Sequence, residues 1–234
     1  MGSEKTTKHS EKLHGRWYSD ACGMAMALEF LGERWSLLIV RELLLGPRRF
    51  SELRADLPAI SARVLTERLG GLAETGVLHK TTLPPPASAD AYELTPWGYA
   101  VEPMIREMVL WAMRSTQHDG HLPMSATAFA LTLPMTFDPV RGKDSRGLTL
   151  GLEIGHHRFV AWIAGATVIV KRGDTSAQDV IVRAENGNAM LALFYARMPF
   201  DAWLAAAEGR AISGKSEELS QLIASLAWPE KIAA

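Results

Sequence analysis

The sequence predicts two domains, a mainly α winged helix-turn-helix module with a β-hairpin wing followed by an α+β domain. Three observations carry this prediction: short apolar helical segments joined by tight turns, a candidate hairpin directly after them, and a change from helical to strand periodicity beyond residue 123. A length of 234 residues suits one or two domains. We expect a mobile N-terminal arm over 1–19, the helix-turn-helix domain over 20–116 and the α+β domain over 122–228.

Helix start and stop signals define the first module. The segment 34–45 is apolar on most sides, which is typical of a buried central helix, and Gly46 followed by proline ends it. Ser51 is the expected N-cap of a short second helix that a proline closes. Ser61 is the expected N-cap of a third helix, with Gly76 just past its end. Three helices joined in this way predict a helix-turn-helix core.

A hairpin wing is expected after the third helix. Its candidate strands, 77–82 and 91–95, flank a loop with three consecutive prolines and no basic residue. Because prolines stiffen the tip and remove backbone donors, Lys80 and the threonines beside it are the wing residues placed to meet a phosphate. Thr95 and the proline after it then begin a helix that is expected to run unbroken to about Ser115.

Several motifs follow one another closely through this region. They are Cys22, Leu31-Gly32-Glu33-Arg34-Trp35, Arg41-Glu42-Leu43, Gly46-Pro47-Arg48-Arg49-Phe50-Ser51-Glu52-Leu53, Ile60-Ser61, Val64-Leu65-Thr66, Arg68-Leu69 and Tyr92-Glu93-Leu94-Thr95-Pro96-Trp97-Gly98. Together they resemble the HxlR-type winged helix-turn-helix regulators over roughly residues 20–115. The resemblance implies a homodimeric bacterial transcription factor of the cytoplasm. Its recognition helix would enter the major groove of double-stranded DNA, with the wing along the backbone.

The third helix is the recognition helix under this resemblance. At about 100° per residue, Arg63, Thr66 and Gly70 lie opposite the leucine stripe and Glu67 lies at its edge. Arg63 is expected to donate to guanine and Thr66 to contact a base edge or a thymine methyl. Glu67 is expected to accept from cytosine or to hold a neighbouring arginine. The alternative is an ordinary solvated helix face. Arg68 falls inside the apolar stripe, so we expect a mainly structural role for it.

Charge distribution supports a DNA-facing surface in this region. The whole chain has a formal net charge of −1, but residues 34–68 carry seven arginines against four acidic residues. DNA-binding surfaces need such positive charge to meet phosphates. For each candidate the alternative is an ordinary surface or capping residue. Outside the base-reading set, the DNA-contact candidates are Ser36, Arg48, Arg49, Arg54, Ser61 and Lys80.

An apolar stripe runs along the helix expected from residue 96 to 115 and is long for a module of this size. The family resemblance implies a helical dimer interface, and this stripe with the segment around Leu28 fits it. Packing onto the second half of the same chain is the alternative. The candidate dimer-interface residues are Leu28, Val101, Met104, Ile105, Met108 and Trp111.

The second half reads as strands followed by helices, which is typical of an α+β domain. The expected strands are 148–154, 158–164, 167–171 and 179–183, and the expected helices are 188–197, 199–207 and 216–226. The order of Glu153-Ile154, Phe159-Val160-Ala161-Trp162, Val168-Ile169-Val170, Asp179-Val180-Ile181-Val182, Leu191-Ala192-Leu193-Phe194 and a turn at Gly209-Arg210-Ala211-Ile212-Ser213-Gly214 resembles the sterol-carrier-protein-like lipid-binding fold. The resemblance covers roughly residues 122–228.

This second resemblance implies a cavity that binds an apolar small-molecule effector, because family members enclose such a cavity between sheet and helices. Two alternatives stay open: a domain with a filled cavity that serves dimerisation or rigidity, and a lipid carrier whose DNA-binding half is vestigial. Pockets of this kind are lined mainly by apolar and aromatic side chains. The candidate pocket residues are Phe159, Trp162, Phe194, Tyr195, Phe200 and Trp203.

Enzyme, metal and cofactor signatures are missing from the sequence. It has no Gly-x-Ser-x-Gly elbow, His-Glu-x-x-His helix, phosphate-cradling loop or Cys-x-x-Cys pair. His118 and His121 have no third ligand at suitable spacing, so linker histidines are the favoured interpretation. We therefore predict no catalytic residue, no metal and no cofactor.

The single cysteine, Cys22, excludes an intramolecular disulfide and suits a reducing compartment. It is expected to be a small buried residue, although some relatives use a cysteine near this point as a redox or electrophile switch. No apolar run reaches 18 residues and no signal peptide is recognisable. We expect a soluble cytoplasmic protein with no membrane partner.

Overall fold

The chain divides into two units between Ile105 and Arg106, and each unit has its own buried apolar side chains. The computed structural model describes residues 18–145 and 147–232. Apart from Tyr18 and Ser19, the mobile arm predicted over residues 1–19 lies outside the described residues. Within the described part, no helix is both long enough and apolar enough to cross a membrane.

Unit 1 is a winged helix-turn-helix, as the sequence predicts. Its hairpin pairs antiparallel, with Lys80 opposite Tyr92. A helix that begins in this unit continues across the division. The elements are α1 (Gly23–Leu31), α2 (Ser36–Leu43), α3 (Phe50–Asp56), α4 (Ala62–Glu74), β1 (Leu78–Thr82), β2 (Asp90–Leu94), α5 (Pro96–Tyr99) and α6 (Glu102–Met113).

The ends of α4 follow the local signals in the sequence. The hydroxyl oxygen of Ser61 accepts the Val64 backbone N–H at 3.2 Å and so caps the helix as predicted. Gly76, just past the end, has a φ of +77°, a left-handed conformation that glycine adopts readily. Both ends of the candidate recognition helix are thus defined by short-range interactions.

The expected cap of α3 is wrong by two residues. Arg49, not Ser51, stands at the N-cap, because Phe50 is already helical. The carboxylate of Glu52 accepts the backbone N–H of Arg49 at 2.8 Å and satisfies a donor at this helix end. Ser51 therefore lies inside the first turn.

The single helix expected over residues 96–115 is also wrong, because the chain forms α5 and α6 instead. Thr95 caps α5 as predicted, and its hydroxyl oxygen accepts the Gly98 N–H at 3.0 Å. Pro103 explains the break: in a continuous helix its ring would clash with the carbonyl of Tyr99. In the first turn of α6 the same proline is tolerated, since no helical donor is needed there.

Unit 2 holds a five-stranded sheet with helices. The sheet order is β5-β4-β3-β6-β7, in which only the β3–β6 pair is parallel. A short 3-10 turn (Lys143–Ser145) precedes the sheet. The α and β elements are α7 (Ala126–Thr136), β3 (Thr149–Ile154), β4 (His157–Ala164), β5 (Thr167–Arg172), β6 (Val180–Ala184), α8 (Gly187–Phe194), α9 (Phe200–Ala205), β7 (Ala211–Gly214) and α10 (Ser216–Ser225).

Two elements of unit 2 differ from the sequence expectation. Helix α7 is not predicted from the sequence. It is buried over most of its length, so apolar residues and three buried threonines surround its axis and leave no helical period. The stretch 209–214, expected to be a turn, contains β7, which pairs antiparallel with β6. This pairing connects residues about thirty positions apart, which a local pattern does not report. The sterol-carrier-like fold itself stays a prediction.

Candidate nucleic-acid interface

The turn between α3 and α4 sets the orientation of the candidate recognition helix. Leu53, Leu57 and Ile60 are buried. The turn is closed by backbone hydrogen bonds from Leu57 N–H to the Leu53 carbonyl and from Ile60 N–H to the Leu57 carbonyl, both at 3.0 Å. Burial of these three apolar side chains anchors the turn, so that α4 leaves it in a defined direction.

Helix α4 has one buried and one exposed face. Leu65, Leu69 and Leu72 are almost completely buried. The four residues that the sequence places on the opposite face, Arg63, Thr66, Glu67 and Gly70, are all exposed. A side chain added at Gly70 would meet no atom within 4 Å. The exposed face is therefore open to a macromolecule.

Hydrogen bonding differs among the candidate base readers. Thr66 donates its hydroxyl proton to the Ala62 carbonyl at 2.9 Å, and Ser61 uses its hydroxyl oxygen as the helix cap. Arg63 forms no ion pair within the described part of the chain. Its guanidinium is thus available for a guanine edge, which offers two acceptors in the major groove.

Arg68 ties α4 to the connection between α1 and α2. Its Nε donates to the Arg34 carbonyl at 3.1 Å, and its terminal nitrogens lie 3.1 Å from Glu33 and 3.0 Å from Glu67. These contacts match the structural role expected for Arg68. Glu67 lies in an ion pair with this arginine, and base contact by Glu67 stays a prediction.

Arg48 is buried, in contrast to the phosphate contact expected for it. Only 5% of the residue is exposed, and its guanidinium lies 2.7 Å from the Asp56 carboxylate. Its backbone N–H and carbonyl pair with those of Tyr92 at 2.9 and 2.8 Å, which attaches the start of α3 to the wing. In this position the guanidinium of Arg48 forms its ion pair inside unit 1 instead of facing a phosphate.

The other candidate phosphate contacts lie at the surface. Arg49 is half-exposed and lies 3.2 Å from Glu52. Burial would raise the pKa of Glu52, but the backbone hydrogen bond from Arg49 and the charge of Arg48 outweigh it and lower that pKa. Arg54 and Lys80 are exposed, and neither forms an ion pair with any described residue.

The seven arginines of residues 34–68 divide into those in ion pairs and those without one. Four of the seven arginines are in ion pairs. The remaining three, Arg34, Arg54 and Arg63, make no ion pair within the described residues and are exposed. Positive charge without an ion-pair partner among the described residues thus comes from these three and from Lys80. Arg49 stays accessible as well, because its pair with Glu52 is exposed to water.

Ser36 lies at the start of α2 and is 3% exposed. Its backbone N–H donates to the Glu33 carbonyl at 3.0 Å. The side chain lines a groove between the end of α1, the start of α2 and α4. Ser36 is therefore recessed from the outer surface on which Arg54 and Arg63 lie.

The candidate dimer residues fall into two groups. Leu28 in α1 and Met104, Met108 and Trp111 in α6 are exposed, and Trp111 reaches 76%. Val101 is half-buried. Ile105 is 5% exposed, so it packs within the chain.

The candidate pocket aromatics of unit 2 are mostly packed in its interior. Phe159, Phe194 and Trp203 are fully buried, and the Trp203 indole N–H donates to the Ala189 carbonyl at 2.7 Å. The Tyr195 hydroxyl lies 2.7 Å from that of Thr136, and burial raises the pKa of Tyr195.

A small cavity lies beside Trp162, the one pocket candidate that lines it. Its volume is about 10 Å³, which is near the minimum for a single water molecule. Phe200, the remaining candidate, is half-buried. The structure buries Phe159, Phe194 and Trp203, and an apolar ligand among the six aromatics stays a prediction.

The burial expected for Cys22 is wrong. Cys22 is exposed at the N-cap of α1, where its backbone N–H donates to the Asp20 carboxylate at 2.9 Å. The buried positions of α1 are Ala25 and Leu31. A residue at the N-cap precedes the face that packs on the core, which explains the exposure.

Comparisons with known proteins find relatives of the first half of the chain. A family described as HxlR-like helix-turn-helix matches residues 30–119. The transcriptional regulator YvaP of Bacillus subtilis is 43% identical over 86 residues, which cover 37% of this chain and 80% of YvaP. YodB of the same organism is 37% identical over 89 residues, 38% of this chain and 80% of YodB. The solved reduced form of YodB, 34% identical, covers 43% of this chain and 99% of that chain with a TM-score of 0.38.

Proposed function

The chain belongs to the HxlR-like helix-turn-helix family of transcriptional regulators, and from this we propose that it binds a specific double-stranded DNA operator as a homodimer. The observation that carries the proposal is the exposed face of α4. There Arg63, Thr66 and Glu67 are turned outward by a buried leucine stripe, the arrangement that a major-groove helix requires.

In this proposal, different side chains contact the bases and the phosphates. Arg63 donates to a guanine, while the Thr66 methyl or hydroxyl oxygen and Glu67 contact neighbouring base edges. Arg54, Lys80 and Arg49 neutralise phosphates and set the register of the helix on the duplex, and the Ser61 hydroxyl adds a short polar contact. The exposure of these side chains supports the division.

The homodimer is supported by exposed apolar side chains on α1 and α6. Met24 is 70% exposed and Trp111 76% exposed, and large apolar side chains grouped on a surface are typical of association sites. Leu28, Met104 and Met108 extend these two surfaces. A two-fold dimer would present two recognition helices to two half-sites.

An apolar effector bound in unit 2 is part of the function that the sequence predicts. Because the cavity beside Trp162 holds about 10 Å³, such a ligand would have to displace packed side chains. The ligand would change DNA affinity only if it bound the DNA-competent and DNA-incompetent arrangements with different affinity. Retention of a radiolabelled fatty acid by the purified protein tests this, and no retention at saturating concentration would count against it.

The exposure of Cys22 favours a second regulatory candidate, a disulfide between two copies. Oxidation by diamide would join two Cys22 thiols, with two electrons and two protons passing to diamide to give its hydrazine. A diamide-dependent dimer on a non-reducing gel, absent from Cys22→Ser, together with altered DNA binding of the wild type alone, is the expected result. Equal responses of both proteins would rule the candidate out.

The proposed function is tested by binding of the purified protein to the DNA upstream of its own reading frame, with a scrambled duplex as control. The logarithm of the binding constant should fall linearly with the logarithm of salt concentration. The upstream duplex should bind at least about a thousandfold more tightly than the scrambled one. Equal affinity for the two would oppose sequence-specific regulation from this DNA.

A further inference from the structure

A groove of about 790 Å³ in unit 1 is not explained by DNA binding. It lies between the end of α1, the start of α2 and the second half of α4, and its volume is in the range of small-molecule sites. Apolar surface comes from Tyr18, Leu28 and Phe30. Its lining also carries four carboxylates, which repel phosphates and so make it a poor continuation of the DNA surface.

Among the described residues, the lining of this groove carries more negative than positive charge. Within that part of the chain Arg68 is the one cation in the lining, and it is paired with Glu33 and Glu67. The other two carboxylates, Glu29 and Glu74, form no ion pair within residues 18–145 and 147–232. Glu29 is half-buried and Glu74 is exposed, and two carboxylates at the wall of one groove attract a cationic ligand.

A serine hydroxyl also lines the groove. Ser36 is 3% exposed, and within the described residues its Oγ makes no hydrogen bond. Ser36 as a residue is enclosed by protein, but its Oγ is not one of the buried atoms that lack a partner; it faces the groove, where a bound molecule can form a hydrogen bond with it. A serine hydroxyl can accept a hydrogen bond from an N–H group as well as donate its own proton.

We propose that this groove binds an organic cation, in which an amidinium, guanidinium or ammonium group is attached to an aromatic body. The cationic group pairs with Glu29 and Glu74 and donates an N–H to Ser36. The aromatic body packs on Tyr18 and Phe30. Each part of this ligand matches a feature that the groove leaves unpartnered: negative charge, a hydroxyl acceptor and apolar surface.

Occupation of the groove opposes DNA binding, a consequence that rests on the proposed function. Thr66, Glu67 and Gly70 line the groove and also lie on the exposed face of α4. A ligand beside them competes with bases for the same helix face. By linkage, specific DNA lowers the affinity for the cation by the same factor.

The binding site itself is tested without DNA, by calorimetric titration of the full chain with 4-phenylbenzamidine. The neutral 4-phenylbenzamide and the anionic 4-phenylbenzoate have nearly the same shape and serve as controls for charge. We expect one cation bound per chain, at least about fivefold weaker binding of the amide, and weaker binding still of the benzoate, since one charge pair at contact distance in water contributes about a factor of five. Equal binding of all three compounds, or none, would overturn the proposal.

Variants of the lining residues test whether the cation binds in this groove. Glu29→Gln and Glu74→Gln should each weaken the cation by about fivefold, and Ser36→Ala by a similar factor. Glu208→Gln, at an exposed position in unit 2, should leave the affinity unchanged. An equal loss in Glu208→Gln would contradict the assignment.

The chain's own basic N-terminal segment is the competing occupant, since it carries Lys5, Lys8, Lys12 and Arg16. In a full-length variant with these four changed to glutamine, unchanged affinity for the cation supports the proposal. A gain in affinity assigns the groove to the segment and overturns it. Cation binding that persists while no duplex binds would leave the site intact and refute only the proposed function.

Discussion

Two neighbouring arginines, Arg48 and Arg49, have the same side chain and opposite surroundings. Arg48 is buried against Asp56 at 2.7 Å, whereas Arg49 is half-exposed beside Glu52 at 3.2 Å. A buried ion pair is costly to break because the remaining charge loses its partner in a poorly solvated place. An exposed pair contributes little, since water and salt screen it.

Arg48→Ala should therefore lower the free energy of unfolding by about 3 kcal/mol. Arg49→Ala should change it by less than about 1 kcal/mol. Urea unfolding of the two variants and the wild type, followed by circular dichroism, measures both values. Similar losses in the two variants would contradict the structural role of Arg48.

Local signals explain which individual residues could be placed from the sequence. The Ser61 cap, Gly76 and the exposed positions of α4 depend on neighbours within one or two helical turns, so the pattern predicts them. The burial of Arg48 depends on Asp56, eight residues away, and on the Tyr92 backbone. Since sequence shows charge but not depth, Arg48 and Arg49 were indistinguishable there.

Helices and strands, like single residues, are predicted from the sequence when the signals that form them lie within the segment. Helix α4 and the β1–β2 hairpin are predicted because caps, glycines and apolar periods lie within the segment itself. Helix α7 is missed because burial on all sides removes the period. The groove beside α4 is also beyond sequence reasoning, because it joins residues of α1, α2 and α4.

At the level of α6, the exposed Trp111 should be central to self-association. Trp111→Lys should convert the proposed homodimer to a monomer, since a charge replaces apolar surface that the interface would bury. Val140→Lys is the matched control, because Val140 is 78% exposed in unit 2. Light scattering with size-exclusion chromatography gives the mass of each. A dimeric Trp111→Lys protein would place the interface elsewhere.

Asp179 connects three elements of unit 2. Its carboxylate accepts from Lys215 at 2.8 Å and from the backbone and hydroxyl of Thr149 at 3.0 and 2.8 Å. These contacts join the starts of β3 and α10 just before β6 begins. Mainly through the Lys215 hydrogen bond, they lower the pKa of Asp179 from 3.8 to about 2.

A lowered pKa in the folded state means that the stabilisation from Asp179 is fully present above about pH 4 and is lost as pH falls towards 2. The wild type should therefore exceed Asp179→Asn in thermal midpoint at pH 5, with a difference that shrinks by pH 3. Asp201→Asn, an exposed control, should show no such trend. A difference that stays constant over this range would show that the carboxylate charge is not responsible.

In the whole molecule, unit 1 carries the proposed DNA contacts and unit 2 carries the predicted effector site. The family match covers residues 30–119 and includes the helices and hairpin that carry the proposed DNA contacts. Unit 2 has a well-packed core with buried aromatics, and its predicted effector role depends on opening space there. DNA recognition therefore depends on unit 1, and the test of the central claim belongs to α4.

The most direct measurement compares wild type, Arg63→Ala and Arg54→Ala on the upstream duplex and on duplexes with each base pair replaced in turn. Arg63→Ala should lose about 1–3 kcal/mol of discrimination at one position of each half-site. Arg54→Ala should weaken binding to all sequences alike and reduce the salt slope by about 1. A uniform loss in Arg63→Ala, with every base preference retained, would contradict base reading by the exposed face of α4.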